Sequence, residues 1–399
     1  MSASSPRACG TLASLTAAAL ALPAFQAAAD ARDETRIVSL RASQYLENDL
    51  PASQLASGSE GDRYDISLLR LRAGAPVFDS FRVTADLGYE TMSGASPWFV
   101  QPDADGRPVQ VMSGATIDET RTDVSIDTRY YSDTSEHAIV VGYSTENDYE
   151  AINIGLETLY SFEGAQTSIN LGAGYSDDTV KPTDGGSVRF PYRIDRAGRD
   201  SANAVIGLTH VLNPTTVLQG ALSFTRQSGY LSDPYKLTVV DGAARPDTRP
   251  DDRNQVAWSL RLRHRFADWN ASLHADYRYY SDSWKIDSHT LELGWYQDLG
   301  ERWRITPSLR YYSQSQAGFY RPYYVAETSD NLYSSDYRLS PYGAFTAGLL
   351  VRRLMESSAL SLSLQYYDSD ARYALGKVDV ANPGLVDFVL ATLGFDFSI

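Results

Sequence analysis

Phe388-Val389-Leu390-Ala391-Thr392-Leu393-Gly394-Phe395-Asp396-Phe397-Ser398-Ile399 alternates apolar and polar side chains to its last residue. Read as an extended strand, it places Val389, Ala391, Leu393, Phe395, Phe397 and Ile399 on one face and Thr392, Gly394, Asp396 and Ser398 on the other. A strand with an apolar face and a free edge offers unpaired N–H and C=O groups as a template for aggregation, and closure into a barrel removes the edge. Closure is also the one way a sheet can satisfy every backbone group inside lipid.

Working back from this end, period two and turn residues predict about sixteen strands, each near the roughly 9 to 11 residues that span an outer membrane when tilted. They fall at 36–46, 62–72, 78–92, 121–131, 137–145, 150–161, 166–176, 202–212, 216–227, 254–266, 269–281, 285–298, 303–314, 336–350, 358–369 and 387–399. In the third, Phe81, Val83, Ala85, Leu87 and Tyr89 would face lipid while Arg82, Thr84, Asp86 and Glu90 face inward. In the tenth, Val256, Trp258, Leu260, Leu262 and Phe266 oppose Ser259, Arg261, Arg263 and Arg265. Arginine facing lipid at mid-strand would cost about 2 to 4 kcal/mol, which fixes the choice of faces.

Counted from a periplasmic start, turns after even strands are short, such as Asn213-Pro214-Thr215, Ala267-Asp268 and Glu163 to Ala165. Those after odd strands include long stretches near 93–120, 177–201, 228–253, 315–335 and 370–386, rich in Asp, Gly, Pro and Ser. Short periplasmic turns and long external loops are the pattern of an all-β, transmembrane antiparallel barrel. Tyrosine doublets at strand ends (130–131, 279–280, 311–312 and 366–367) read as aromatic girdles, with a sugar-stacking track as the alternative.

The first 29 residues read as a secretory signal peptide, with Arg7, an apolar run from Leu12 to Phe25 and small residues Ala27-Ala28-Ala29 at the cleavage site. Residues 30–399 then form one barrel domain, delivered to the outer membrane of a Gram-negative cell. Cys9, the single cysteine, lies before the apolar run, so the mature chain has no thiol for disulfide or redox chemistry. Beyond the signal no apolar stretch reaches the roughly 18 to 20 residues of a spanning helix. A composition 43% hydrophobic with 27 tyrosines, yet a mean hydropathy of -0.32, suits strands with one polar face. The net charge of -15 argues against nucleic acid as a partner.

The terminal strand also resembles the signal by which outer-membrane barrels are recognised for insertion, with Thr392, Gly394, Phe397 and Ile399 at its positions and Ile399 in place of the usual terminal aromatic. That resemblance implies outer-membrane lipid and the barrel-assembly machinery as partners. Ser93-Gly94-Ala95-Ser96-Pro97, Ser113-Gly114-Ala115 and Glu146-Asn147-Asp148-Tyr149 resemble the bacterial family catalogued as domain of unknown function 3570, over nearly the whole mature chain. The family implies an outer-membrane or cell-surface barrel with no assigned reaction. Some of its relatives are associated with flavin-attachment and thioredoxin-like proteins, which hints at a redox-linked envelope partner, although no residue here marks a flavin site.

The sequence points to no catalysis and to no cofactor. A hydrolase needs a nucleophile, a base and an orienting group together, and His274 is the one histidine expected inward near mid-strand. Ser272, His274 and Asp276 alternate on one strand, where such side chains stand about 6.5 to 7 Å apart and do not converge. His210 and His264 read as interfacial. The acidic runs Asp103-Ala104-Asp105-Gly106, Asp177-Asp178, Asp184-Gly185-Gly186 and Glu146-Asn147-Asp148 with Glu150 lack EF-hand spacing and read as solvated loop charge rather than a metal site.

The inward charges carry the functional expectation. Arg261, Arg263, Arg265, Arg278, Arg304 and Arg310, tempered by Asp276 and Glu292, would form a basic arc. Asp86, Asp123, Asp127 and Glu157, with Arg82 and Arg129 as partners, would form an acidic arc across the lumen. Opposed walls of this kind order small polar solutes in a porin-like pore. Pairing between adjacent strands around a filled interior is the open alternative, and it suits a scaffold barrel for an envelope partner.

Overall fold

The computed structural model describes residues 35–113, 117–162, 164, 166–188 and 190–398. The signal segment, Gly114, Ala115, Glu163, Ala165 and Ile399 lie outside the described residues. Among the described residues, sixteen strands close an antiparallel barrel in chain order, from Ile37–Glu47 to Asp387–Ser398. These two strands pair with each other, Ile37 opposite Ser398 and Glu47 opposite Phe388, so the edge of the terminal strand is the barrel seam. The helical elements described are 3-10 turns of three residues, and none is long or apolar enough to cross a membrane.

Alternation sets the wall. Leu87, Tyr89, Val256, Trp258, Leu260, Leu393 and Phe395 are exposed on the outside, where lipid covers them. The tyrosine doublets split across that wall. Tyr130 and Tyr366 are exposed and Tyr311 packs on Phe345 at 4.9 Å, whereas inside Tyr312 donates to Gln314 and Tyr367 stacks on Phe388 at 4.6 Å. The short connections, such as 79–80, 214–215 and 300–302, lie at one end, and the loops, in their described residues 48–64, 95–113, 181–188, 190–196, 230–251, 315–341 and 371–386, at the other.

The strand expected at 336–350 is displaced, running from Tyr342 to Leu354. Asp336 instead accepts a hydrogen bond from the Arg338 N–H and starts a 3-10 turn over Tyr337–Leu339, a local side-chain bond that competes with the strand ladder. Two loop hairpins were not anticipated: Pro97–Pro102 with Pro108–Met112, and Leu237–Val240 with Ala243–Pro246. Prolines and charges mask their alternation.

Candidate functional site: charged lumen and loop cap

Register places the inward charges in rows. Arg261 stands opposite Asp276, Asp276 opposite Glu292, and Glu292 opposite Arg310, so four adjacent strands carry charges in the order plus, minus, minus, plus. Arg263 holds Asp276 with two hydrogen bonds, Arg304 holds Asp298 at 2.6 Å, and the Arg278 guanidinium lies 5.3 Å from the centre of the Tyr280 ring. Arg265 is exposed near the periplasmic rim. His274 packs against Tyr296, and the Arg263 pairing engages the carboxylate that a triad would need.

On the other wall Asp86 pairs with Arg72 at 2.8 Å and Asp123 lies 3.6 Å from Arg70. Arg129 gathers Asp127, Glu136 and Glu157 at 3.2 to 3.3 Å. Arg82, expected as an acid partner, donates to the Thr35 carbonyl. Each wall thus carries its own counterions, within a strand, on the next strand or one strand beyond. Arg70 and Arg72 escaped the sequence reading, though their inward phase follows from alternation with Leu69 and Leu71, which are exposed.

Above these rows the external loops knit into a cap whose core is ionic. Asp247 accepts from Arg249 at 2.7 Å, from Ser334 and from the Asp233 N–H, while Asp336 accepts from Arg249 at 2.8 Å and from Arg338. Arg338 also reaches Asp233 at 3.2 Å, and Lys236 donates to the Pro97 carbonyl at 2.9 Å. The cap therefore sets Asp233, Asp247 and Asp336 against Lys236, Arg249 and Arg338. Burial pushes Asp336 up, but Arg338, Lys236 and Arg249 outweigh it and hold the carboxyl well below its ordinary range. Burial wins at Asp247, whose carboxyl is raised despite Arg249, and at Lys236, whose ammonium is lowered.

Further bonds tie other loops to this core: Thr183 N–H to the Tyr235 hydroxyl, Arg193 to the Pro234 carbonyl, and Asn382 to the Tyr337 carbonyl. Tyr320, at 0% exposure, sits in an apolar cluster with Trp284, Ile286, Ala317 and Leu339. The Asp-x-Arg spacing of 247–249 and 336–338 recurs at 127–129, 251–253, 276–278 and 370–372, so it does not single these residues out in the sequence.

The acidic runs divide. Asp103 and Asp105 are solvated in a turn with Arg107. Asp184 lies 3.5 Å from Arg193, and Asp178 is buried on Arg199 and Tyr149. Glu146 and Asp148, expected as solvated charge, are buried at 7% and 1% exposure, because the cap packs over their turn and Tyr235 donates to Asp148 at 2.6 Å. Glu150 pairs with Lys181 at 2.8 Å.

No curated protein matches the chain. Among solved structures it is similar to a bacterial polysaccharide outer membrane secretin, at 12% identity over 91% of this chain and 98% of the other, TM-score 0.48. It is also similar to OpdK of Pseudomonas aeruginosa with vanillate, at 10% identity over 92% and 98%, TM-score 0.42. A third likeness is to the siderophore receptor PirA of Pseudomonas aeruginosa, at 9% identity over 84% of this chain, TM-score 0.43, and the chain spans only 56% of that receptor. The family described as Protein of unknown function (DUF3570) matches residues 12–386, nearly the whole sequence, and the chain belongs to it.

Proposed function

We propose that this outer-membrane barrel is a porin-like channel for small polar solutes, in which the loop cap forms the constriction and the charged rows beneath it line a wet vestibule. One contrast supports the reading. Below the cap, Arg263 and Asp276 keep 32% and 34% of their side-chain surface exposed, whereas in the cap Asp247 and Asp336 keep none. Ionic side chains that stay solvated inside a barrel are the means by which pores set charge preference.

Planar-bilayer recording tests this. The purified barrel is expected to give a small, stable unitary conductance that grows when the 315–341 loop is shortened. Replacing Arg261, Arg263 and Arg278 by Glu should move ion preference toward cations, since lumen substitutions tune selectivity without unfolding the wall. A folded barrel that stays silent both intact and with the loop shortened would sink the channel and favour a scaffold for an envelope partner.

A further inference from the structure

Beneath the cap, two adjacent strands and the turn of the next hairpin bring four carboxylates together. Glu119, Glu146 and Asp148 each place an oxygen within 4.8 Å of the others, and all three side chains are buried. Glu90, at 1% exposure, stands on the neighbouring strand opposite Arg121 and close enough for its charge to act on Glu146. Among the described residues, neither oxygen of Glu90 and neither oxygen of Glu146 has a hydrogen-bond partner. Arg121 lies 3.8 Å from Glu146, and its Nε donates to Ser144. Glu119 accepts from the Asn147 N–H at 2.8 Å, and Asp148 accepts from Tyr235.

The contrast with the cap core is one of charge balance. There three carboxylates meet three cations, whereas here, among the described residues, the largest charge effects on Glu146 come from Asp148, Glu119 and Glu90 on one side and Arg121 on the other. Buried carboxylates without hydrogen-bond donors are costly, and they are relieved by protons or by a metal ion. The geometry suits the metal. Two oxygens each about 2.4 Å from one calcium ion can lie at most about 4.8 Å apart, and the oxygens of Glu119, Glu146 and Asp148 meet that limit pair by pair. An all-oxygen set without His or Cys selects a hard cation over zinc or copper.

We propose that Glu119, Glu146 and Asp148, with Glu90 behind them, bind calcium, and that the ion ties the barrel wall to the cap through the Asp148–Tyr235 hydrogen bond. The site stands apart from conduction, so the bilayer result and the binding result can fail separately.

The test is calcium titration calorimetry on the full-length barrel in detergent after EDTA treatment, with terbium luminescence excited through tyrosine as a second probe. One saturable site is expected. Glu146→Gln should weaken it by roughly tenfold or more, because calcium affinity follows ligand charge, while Glu150→Gln, at a solvated ion pair, should bind as the parent does. A parent that takes up no calcium, or a folded Glu146→Gln barrel that binds as tightly as the parent, overturns the proposal. Another readout needs no variant: saturating calcium should slow proteolysis in the 230–251 loop, and equal cleavage rates in calcium and in EDTA would also overturn it.

Discussion

Glu146 sits one residue beyond the strand Ser135–Thr145, on the external side, with no side-chain surface exposed. Burial, then the Asp148 charge, push its carboxyl from the ordinary 4.5 up to about 8, against the pull of Arg121. The sign of the stability effect follows. Between those two values the folded protein holds a proton that the unfolded chain has released, so stability is full below the lower value and falls as pH rises through the upper one. In EDTA, the temperature at which the heat-dependent band shift occurs should therefore drop between about pH 5 and pH 8. Glu146→Gln should flatten that dependence. An unchanged slope in the variant would assign the proton to another group.

Two kinds of element divide the work. Mid-barrel strand pairs such as Arg263–Asp276 and Arg72–Asp86 stay within reach of water, and each contributes little. In the cap the carboxylates are dry, and removing one partner of such a buried pair costs about 3 to 5 kcal/mol. Asp336→Ala would leave Arg249 and Arg338 short of their shared acceptor. The expected outcome is rapid proteolysis within 230–251 and 315–341, with the heat-dependent band shift of the wall retained. Loops as resistant as the parent's would show that the network is not what orders the cap. Because the Asp336 carboxyl is held below its ordinary 3.8, its contribution is present above that value and is lost as pH falls through the lowered one.

The strands were legible in the sequence because membrane physics enforces a two-residue period residue by residue, as at Val256, Trp258 and Leu260. The cap was not, since Asp233 and Arg338 lie 105 residues apart and no local pattern announces their meeting. Of the acidic cluster the sequence showed only the run Glu146-Asn147-Asp148, read there as solvated charge, because Glu90 and Glu119 come from separate strands and only lateral pairing of the strands brings them beside it.

For the whole molecule, the seam governs assembly. Deleting Phe395 to Ile399 removes the pairing of Phe395 with both Leu40 and Leu360 and that of Asp396 with Ser39. Outer-membrane delivery should be abolished, while trimming a similar length from the 230–251 loop should leave it intact. Normal delivery of the first truncation, measured by membrane fractionation, would refute the role of the terminal strand. Ile399→Phe should be neutral or helpful. Every other ladder of the barrel joins barrel strands that follow one another in the chain, so these can zip up as successive hairpins. The seam is different, because Ser39 and Asp396 are separated by 357 residues. Closing it carries the loop entropy of the entire sheet, and that cost returns nothing until the final ladder forms. Until that ladder forms, the first strand and the last each keep an open edge, the one place where a second chain could pair with the sheet.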